Sequence, residues 1–538
     1  MSNSKIRVFH PLLFALYAVL GLLAVNIRQA NLSQAARPLI LALAIAFVIL
    51  LVLTVILRNR YKAGLLVTLG VALFFSYGHV FQVVDQWWIG NVDLGKHSYW
   101  GLVWLLIFVI LSLVILTRKS SLEGITRVLN WIAVFAVSIA VIQLSVFQVR
   151  ESMSRSSESL PLDASSAAEA DLTLLPLDSP PDIYFVVLDS YTRADVLQGY
   201  FSFDNQPFLS SMENRGAQVL ECSRSNYSMT ELSLAATLNL GYIQPALSGG
   251  STHTDQLRVQ GLLQDNLVMN TLQEAGYKIV SVESGFSPTE FHQAEVFLTP
   301  QDNWVRQYLL SDVNSFETLV LKTSAGIILY DARFLFNAAF RTAIDGAYVE
   351  HRDRTLFELD QLAALAQMDS PKFVFVHVLA PHEPFVFDAE GETVPRETPF
   401  ALNNDFDTLD PRSYVPGYRD QVQYLNTRMA EIVDTLIAQS EVAPVIIIQG
   451  DHGSLPRVSS EASRHAVLNI LYLPGVERDA IPETLSLVNT FRVVFNSQFG
   501  LELPMLEDIS YYSTYEQPFD FTILADENPA CLISYEGE

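Results

Sequence analysis

Asp182-Ile-Tyr-Phe-Val-Val-Leu-Asp189 is an apolar run that begins and ends with a carboxylate. Such a run is typical of a strand buried on both faces of a parallel sheet. A second run of this kind, Pro444-Val-Ile-Ile-Ile-Gln-Gly450, is followed directly by Asp451-His452-Gly453. Because open α/β sheets build their sites at the carboxyl ends of their strands, the two carboxylates and the imidazole are expected to converge there.

A hydroxyl group lies between these two strands in the sequence. Thr230 precedes the apolar helical part of Asn226-Tyr-Ser-Met-Thr-Glu-Leu-Ser-Leu-Ala-Ala-Thr-Leu-Asn239, and a metal ion can activate such a hydroxyl for attack on an ester. Each feature also has a simpler explanation, since Asp, Thr and Asp-Gly pairs serve as helix caps and turns. Their order within one domain favours a metal-assisted ester-cleaving site made of Asp189, Thr230, Asp451 and His452.

The chain from residue 182 to 538, about 360 residues, is long enough for a sizeable core. Apolar β-branched runs alternate with helical stretches such as Tyr418–Ser440, which predicts an α/β domain with a mainly parallel central sheet. The tail from about Ile481 contains several aromatic residues, including Tyr511 and Tyr515. They are expected to pack at the periphery, with an aromatic rim near the site as the alternative.

The N-terminal part predicts an α-helical membrane domain. Five apolar runs there contain no Asp, Glu, Lys or Arg, and each has the length of about 20 residues that a membrane-spanning helix needs. A soluble core would require five consecutive uncharged helices of this length. The first run resembles a signal peptide, but four further spans follow it and no small-residue cleavage site is evident. The predicted spans are 9–27, 38–57, 63–84, 98–117 and 128–149.

Basic residues predict the orientation of these spans. They concentrate at the N-terminus and in the loops after the second and fourth runs. By the positive-inside rule the N-terminus is cytoplasmic, so five spans place the chain after Val149 outside the cytoplasm. The loop after the first run, with Arg28 and Arg37, fits this orientation least well.

Charge is divided unevenly along the chain. Residues 1–150 carry 12 basic and 3 acidic side chains out of 33 and 58 in the whole chain, which leaves a net charge of −34 on the remainder. Such an acidic domain argues against nucleic-acid binding. Residues 150–181 are rich in Ser and contain Pro, as in a linker. Cys222 and Cys531 could form a disulfide in an oxidising compartment, and the sequence leaves this open.

The order of strand-end Asp, hydroxyl residue and strand-end Asp-His resembles the alkaline phosphatase superfamily, in particular its sulfatase-like, membrane-anchored transferases and hydrolases. The resemblance extends from about Pro180 to Pro474. It implies that four matching residues share a divalent metal ion. These are Asp189, Thr230, Asp451 and His452.

Further segments carry the same resemblance. Phe373-Val-Phe-Val-His-Val-Leu-Ala-Pro-His-Glu-Pro-Phe385 is similar to the family's strand and His-x-Pro segment, which implies that His382 contacts the charged group of the substrate. Leu272–Val280 resembles the family's helix, Gly-Tyr turn and strand. His377 lies within the strand and is expected to pack in the core or to orient a ligand. His465 is expected near the same cleft.

Two departures from the family pattern narrow the chemistry. Two-metal members carry Asp-x-x-x-His, but position 378, four before His382, is valine. One metal ion, manganese or zinc, is therefore expected, and a second is doubtful. Sulfatases carry a Cys-x-Pro-x-Arg or Cys-x-Ala-x-Arg motif, whereas this chain has Thr230 and Leu234 at the first and last positions. Phosphate esters therefore fit better than sulfate esters.

Five spans followed by an external domain resemble the layout of lipoteichoic acid synthases and phosphoethanolamine transferases. This resemblance implies a cell-membrane enzyme that cleaves or transfers phosphate-ester head groups of envelope lipids or glycans. One alternative is a sulfatase-like hydrolase of sulfate or phosphonate esters. Another is a non-catalytic membrane protein with a relic sulfatase fold.

Overall fold

The computed structural model describes residues 6–524 except 28–29, 31, 86, 90–91, 157–171, 175–176, 248–251, 301–310, 395–399, 401–410, 455–459 and 478–479. The chain divides into two compact units. Unit 1 comprises residues 1–149, 301–350 and 396–405, and unit 2 comprises 150–300, 351–395 and 406–538. Unit 1 thus takes in two segments from the stretch that the sequence analysis assigned to one catalytic domain, 182–538. The domain boundaries stay a prediction.

Unit 1 confirms the predicted helical membrane domain. Four of its helices are long and apolar enough to cross a membrane: α2 (Leu32–Leu57), α3 (Arg60–Val84), α4 (His97–Thr117) and α5 (Glu123–Ser156). A shorter apolar helix, α1 (His10–Val25), precedes them; its 16 residues extend about 24 Å, against a hydrocarbon core of about 30 Å. None of the residues of α4 is buried, although nearly all of them are apolar. Because an exposed apolar surface of this size is unfavourable in water, the helix is suited to a lipid environment.

Residues 311–323 pack against the membrane helices within unit 1. Helix α11 (Ser315–Thr323) starts with a capping box in which Asn314 and Glu317 satisfy each other's backbone N–H groups. The guanidinium of Arg37 donates to both carboxylate oxygens of Glu317, with an Nε–Oε1 distance of 2.5 Å. The positive charge of Arg37, one of the two arginines that fit the predicted orientation least well, is therefore compensated by the carboxylate of Glu317.

The remaining helices and strands have the following bounds. The helices are α6 (Ala194–Phe201), α7 (Gln206–Asn214), α8 (Thr230–Leu238), α9 (Thr252–Gln264), α10 (Leu267–Glu274), α12 (Gly326–Asp331), α13 (Ala338–Ile344), α14 (Gly346–Ala364), α15 (Pro411–Gln439) and α16 (Thr490–Phe499). The strands are β1 (Trp88–Ile89), β2 (Val92–Asp93), β3 (Ile183–Leu188), β4 (Gln218–Val219), β5 (Lys278–Val282), β6 (Val296–Leu298), β7 (Lys372–Val378), β8 (Val445–Gln449), β9 (Asn469–Tyr472), β10 (Tyr511–Tyr512) and β11 (Thr522–Ile523).

Unit 2 contains a seven-stranded sheet in the order β4-β9-β8-β3-β7-β5-β6. The five strands from β8 to β6 pair in parallel. The other two are antiparallel, β9 to β8 and β4 to β9. The predicted mainly parallel α/β fold is confirmed.

The central strands form because their side chains are apolar on both faces. Every residue of β3, β7 and β8 is buried, as expected for parallel strands covered by helices on both sides. Aromatic packing joins the sheet to its cover, with the Phe185 ring 5.2 Å from Phe491 and the Phe375 ring 4.9 Å from Phe291. Since β8, β3 and β7 are parallel neighbours, their carboxyl ends lie side by side at one edge.

Part of the predicted linker and one cysteine cannot be compared with the structure. Helix α5 continues to Ser156, so the first residues of the predicted linker 150–181 are helical. Residues 157–171 and Cys531 lie outside the described residues. The pairing of Cys222 with Cys531, which the sequence leaves open, therefore stays open.

Candidate metal centre and active site

Two strand ends bring the predicted acidic residues together. Asp189 directly follows β3, and Asp451 follows β8 after Gly450. A side chain at position 450 would come within 2.3 Å of the Tyr191 carbonyl oxygen, so this close approach of two backbones requires glycine. His452 Nε2 lies 3.7 Å from Asp189 Oδ1 and 3.5 Å from Asp451 Oδ2. All three residues are buried, and their candidate ligand atoms lie within 4.8 Å of one another.

Thr230 is the hydroxyl residue that faces this group. It is the first residue of α8, and its Oγ1 lies 3.2 Å from His452 Nε2. Ser233 donates to the Asp451 carbonyl oxygen at 2.7 Å, which fixes α8 against the end of β8. Ser228 donates to the Ser513 carbonyl oxygen at 3.0 Å. These two neighbouring hydroxyls thus already donate to backbone carbonyl oxygens, and Thr230 stays the candidate nucleophile.

The donor set fits a divalent metal ion. Asp189 Oδ1 and Asp451 Oδ2 are buried and have no hydrogen-bond partner. A buried carboxylate oxygen without a partner is costly, and a bound cation removes that cost. Two carboxylates, one imidazole and one hydroxyl suit manganese or zinc. Within the described part of the chain, this is the cluster of acidic and His residues that meets the distance requirement for a metal.

Neighbouring groups orient the His452 ring. Its Nδ1 lies 3.2 Å from Ser190 Oγ and 3.1 Å from the Gly453 carbonyl oxygen, so Nε2 is the nitrogen that faces the carboxylates. Ser190, which has a left-handed φ of 65°, also donates its N–H to Asp451 Oδ1 at 3.0 Å. Burial, together with the charge of Arg464, lowers the pKa of His452 to about 4. The imidazole is therefore neutral at pH 7, as a metal ligand must be.

His377 lies beside Asp189. It pairs with Val187 in the register of β7 and β3, and its Nε2 is 3.6 Å from Asp189 Oδ2. Its Nδ1 lies 2.9 Å from Thr289 Oγ1. Burial alone would raise the pKa of Asp189, but the imidazoles of His382, His377 and His452 outweigh it and hold that pKa below its usual range. His377 is thus placed to orient Asp189, and that role stays a prediction.

The two remaining predicted histidines differ in environment. The His382 backbone N–H donates to the Asp189 carbonyl oxygen at 3.0 Å, and its side chain is 17% exposed. Burial opposes protonation of His382, but the carboxylates of Glu383 and Asp189 outweigh it and raise its pKa. His465 is buried with Nδ1 3.0 Å from the Ser225 carbonyl oxygen, and burial lowers its pKa to about 3. His382 can therefore carry a proton at the site, whereas His465 is neutral.

The sequence analysis missed Arg464. Its buried guanidinium donates from Nε to the Ser228 carbonyl oxygen at 3.1 Å and from Nη1 to the Gly453 carbonyl oxygen at 2.9 Å. Its Nη2 lies 3.4 Å from His452 Nε2 and 3.1 Å from the hydroxyl of Tyr515, a residue of the aromatic tail. The only sequence signal was an arginine next to His465, before the apolar strand-like run that starts at Ala466.

The arrangement joins groups with complementary chemistry. A hydroxyl, two carboxylates and a neutral imidazole surround one point, and a fixed positive charge lies beside it. A metal ion could activate the hydroxyl there, while the guanidinium could bind anionic oxygens. These are the requirements of ester cleavage at a phosphoryl or sulfuryl group.

The chain is similar to one protein family and to several solved structures. The sulfatase family model matches residues 181–481, whereas a search of curated proteins finds no match. One similar solved structure is the periplasmic domain of EptC from Escherichia coli, with 12% identity, a TM-score of 0.42 and coverage of 66% of this chain and 98% of that one. Another is the integral membrane lipooligosaccharide phosphoethanolamine transferase A from Neisseria meningitidis, with 14% identity, a TM-score of 0.36 and coverage of 91% and 95%. The lipoteichoic acid synthase LtaP from Listeria monocytogenes is 13% identical, with a TM-score of 0.34 and coverage of 63% and 81%.

The family match extends over more than half of the chain and includes every residue of the candidate site. It confirms the resemblance stated from the strand-end Asp, the hydroxyl residue and the Asp-His pair. The chain belongs to the sulfatase family, within the alkaline phosphatase superfamily.

Proposed function

We propose that the protein is a membrane-anchored, metal-dependent enzyme that transfers phosphate-ester groups, with Thr230 as the nucleophile. The observation that carries the proposal is the position of Thr230 Oγ1, 3.2 Å from the Nε2 atom of His452, beside two buried carboxylates. Threonine at this position lacks the chemistry that releases sulfate from an oxidised cysteine, so phosphate esters are favoured over sulfate esters.

Asp189, Thr230, Asp451 and His452 would hold one manganese or zinc ion. When bound, such an ion lowers the pKa of a hydroxyl and neutralises charge on phosphoryl oxygens. The two carboxylate oxygens without hydrogen-bond partners support this assignment. His377 would keep Asp189 in position from the neighbouring strand.

The protein's own groups account for the remaining steps. The Thr230 hydroxyl loses its proton to solvent, and Oγ1 forms a bond to phosphorus as the bond from phosphorus to the leaving oxygen breaks. Arg464 binds the non-bridging oxygens through the guanidinium edge that faces His452, and His382, whose pKa is raised by the carboxylates of Glu383 and Asp189, donates a proton to the leaving oxygen. The acceptor hydroxyl then gives its proton to His382 and bonds to phosphorus as the bond from phosphorus to Thr230 Oγ1 breaks, and Thr230 regains a proton from solvent. Water as the acceptor would make the enzyme a hydrolase, and a sugar or lipid hydroxyl would make it a transferase.

The substrate proposed is a lipid or glycan of the cell envelope that carries a phosphate-ester head group. The long apolar helices of unit 1 support a location in the bilayer. The distribution of basic residues supports a cytoplasmic N-terminus and an extracytoplasmic catalytic unit. A reporter that is active only outside the cytoplasm, fused after Arg150, should give a signal. A silent reporter would contradict the orientation but not the chemistry.

Trapping of the covalent intermediate tests the proposed nucleophile. The full-length enzyme is incubated with a nitrophenyl phosphodiester under conditions that limit the acceptor, and its peptides are mapped by mass spectrometry. The expected adduct lies on Thr230, within residues 227–239. Thr230→Ala should lose the adduct and the activity, whereas Ser228→Ala should keep the adduct. Activity retained in Thr230→Ala would show that water attacks directly and would refute a threonine nucleophile.

The same assay distinguishes the proposed transfer of phosphate-ester groups from the main alternative, the hydrolysis of sulfate esters. Nitrophenyl sulfate offered in parallel should be cleaved much more slowly than the phosphodiester. A preference for sulfate would favour the hydrolase of sulfate esters.

A further inference from the structure

Unit 1 exposes an apolar cluster outside the long helices. Among the described residues after 149, nine large apolar side chains are exposed, and five of them fall within nine consecutive positions. Phe334 and Leu335 are 70% and 73% exposed. The other four exposed apolar residues are scattered singly, which is ordinary for a protein surface. The cluster, named the 328–336 patch, consists of Ile328, Leu329, Phe334, Leu335 and Phe336.

The patch is held by ordered structure. It extends from α12 through a 3-10 turn at Arg333–Leu335. Just before α12, the Ala325 N–H donates to the Phe74 carbonyl oxygen of α3 at 2.8 Å. At the end of α12, Asp331 Oδ2 lies 2.6 Å from His97 Nε2, at the start of α4. The patch is therefore fixed to α3 and α4 at both ends of its helix.

The apolar surface of the membrane helices continues into the patch. A groove of about 250 Å³ is lined by Gly70 of α3, by Trp104 and Phe108 of α4, and by Ala325 and Ile328. Ile328 thus belongs both to the patch and to the surface of two predicted spans. Because the patch continues the surface of the predicted spans, we expect lipid to surround it as it surrounds those helices.

Aromatic and basic residues border the patch. The Arg333 guanidinium, within the patch segment, lies 4.2 Å from the centre of the Tyr330 ring. Trp100 of α4 packs on the same side as Tyr330, within one apolar cluster. Apolar side chains flanked by Arg, Tyr and Trp are typical of segments at the boundary between acyl chains and head groups.

We propose that the 328–336 patch inserts into the bilayer leaflet that surrounds the connection between α3 and α4. The chain would then contact the membrane not only through its N-terminal helices but also through a segment that follows the first part of the catalytic unit in sequence. The occupant of the patch is lipid rather than protein, because the patch continues the surface that the spans present to lipid. The proposal does not depend on the phosphotransferase activity.

Fluorescence quenching tests the proposal in the full-length protein reconstituted in lipid nanodiscs. Leu335→Cys is labelled with bimane, and lipids with a nitroxide near the head group are added. Gln423→Cys, at an exposed polar position of α15, is the matched control, and wild-type protein treated with the dye gives the background. We expect quenching at position 335 to exceed that at 423 by about twofold or more, as for an interfacial segment.

A second variant and a dilution series complete the test. Phe334→Glu in the Leu335→Cys background should reduce the quenching, because a carboxylate opposes insertion. Equal quenching at positions 335 and 423 would overturn the proposal. Weak quenching with a blue-shifted emission that disappears on dilution of the protein with lipid would also overturn it, in favour of contact with a second copy of the chain. Because no arm measures catalysis, these outcomes are separate from those that test the proposed function.

Discussion

Replacement of Arg464 by lysine should reduce turnover while leaving the metal in place. Arg464 reaches four groups at once, since its Nε and Nη1 donate to the carbonyl oxygens of Ser228 and Gly453 and its Nη2 lies beside His452 and the Tyr515 hydroxyl. The single ammonium group of lysine cannot span these partners. The charge is kept in Arg464→Lys, but its position is lost.

The expected effects have different sizes for stability and for turnover. Two hydrogen bonds from a charged donor to buried carbonyl oxygens are lost, at about 1.5–3 kcal/mol each, part of which the ammonium can recover. A destabilisation of about 2–4 kcal/mol is therefore expected. In Arg464→Lys the donor no longer faces the negative charge that develops in the transition state. This should lower kcat by about 10²–10³, which corresponds to a rise of about 3–4 kcal/mol in the activation free energy.

A matched control separates these two effects. Arg492 is also buried and donates to the carbonyl oxygens of Leu240 and Pro504, away from the candidate ligands. Arg492→Lys should lower the unfolding temperature to a similar degree and leave kcat nearly unchanged. The assay measures kcat on a nitrophenyl phosphodiester, metal content by mass spectrometry and thermal unfolding for both variants. If Arg464→Lys had the same kcat as Arg492→Lys, Arg464 would be only a structural residue.

Three further predictions concern the histidines. His382→Ala should lower kcat by about 10²–10⁴, the usual contribution of a proton donor, with unchanged metal content; loss of metal would instead identify His382 as a ligand. His377→Gln should weaken metal binding by about 10–100-fold, measured by titration, and an unchanged affinity would contradict its orienting role. Burial lowers the pKa of His452 to about 4 from 6.5, so the unfolded chain takes up a proton first as the pH falls. The contribution of His452 to the stability of the metal-free protein should be fully present above about pH 6.5 and decline by about 3 kcal/mol towards pH 4. His452→Asn should remove this part of the decline, and unfolding temperatures that fall equally in wild type and variant over that range would contradict it.

Much of the fold and the position of the candidate site could be predicted because the decisive signals are local. The strands β3 and β8 are continuous apolar runs, and each is followed within two residues by a carboxylate. A parallel sheet brings such strand ends together whatever connects them. The structure accordingly places Asp189, Asp451 and His452 within one small volume.

Features that depend on distant contacts could not be predicted in this way. Arg464 is fixed by a carbonyl oxygen 236 residues earlier in the chain, and Arg37 pairs with a carboxylate 280 residues later. No spacing or periodicity encodes such pairs. The same holds for the choice among Ser228, Thr230 and Ser233, because it rests on which hydroxyl is already bonded to a carbonyl oxygen. Residues 301–350 join unit 1 for a similar reason, since α11 packs on helices formed far earlier in the sequence.

The missing motif for a second metal ion and the buried Arg464 both concern the positive charge at the candidate site. Phosphoryl transfer spreads negative charge over three equatorial oxygens, and a single ion leaves part of that charge uncompensated. Position 378 is valine, and within the described residues one cluster has the geometry that could hold a metal ion. The guanidinium of Arg464, 3.4 Å from His452 Nε2, is charged at every physiological pH. In the proposed mechanism the Arg464 guanidinium therefore supplies the positive charge that a second ion supplies in two-metal enzymes. For this reason we expect turnover to depend on the position of the guanidinium and not on a second metal ion.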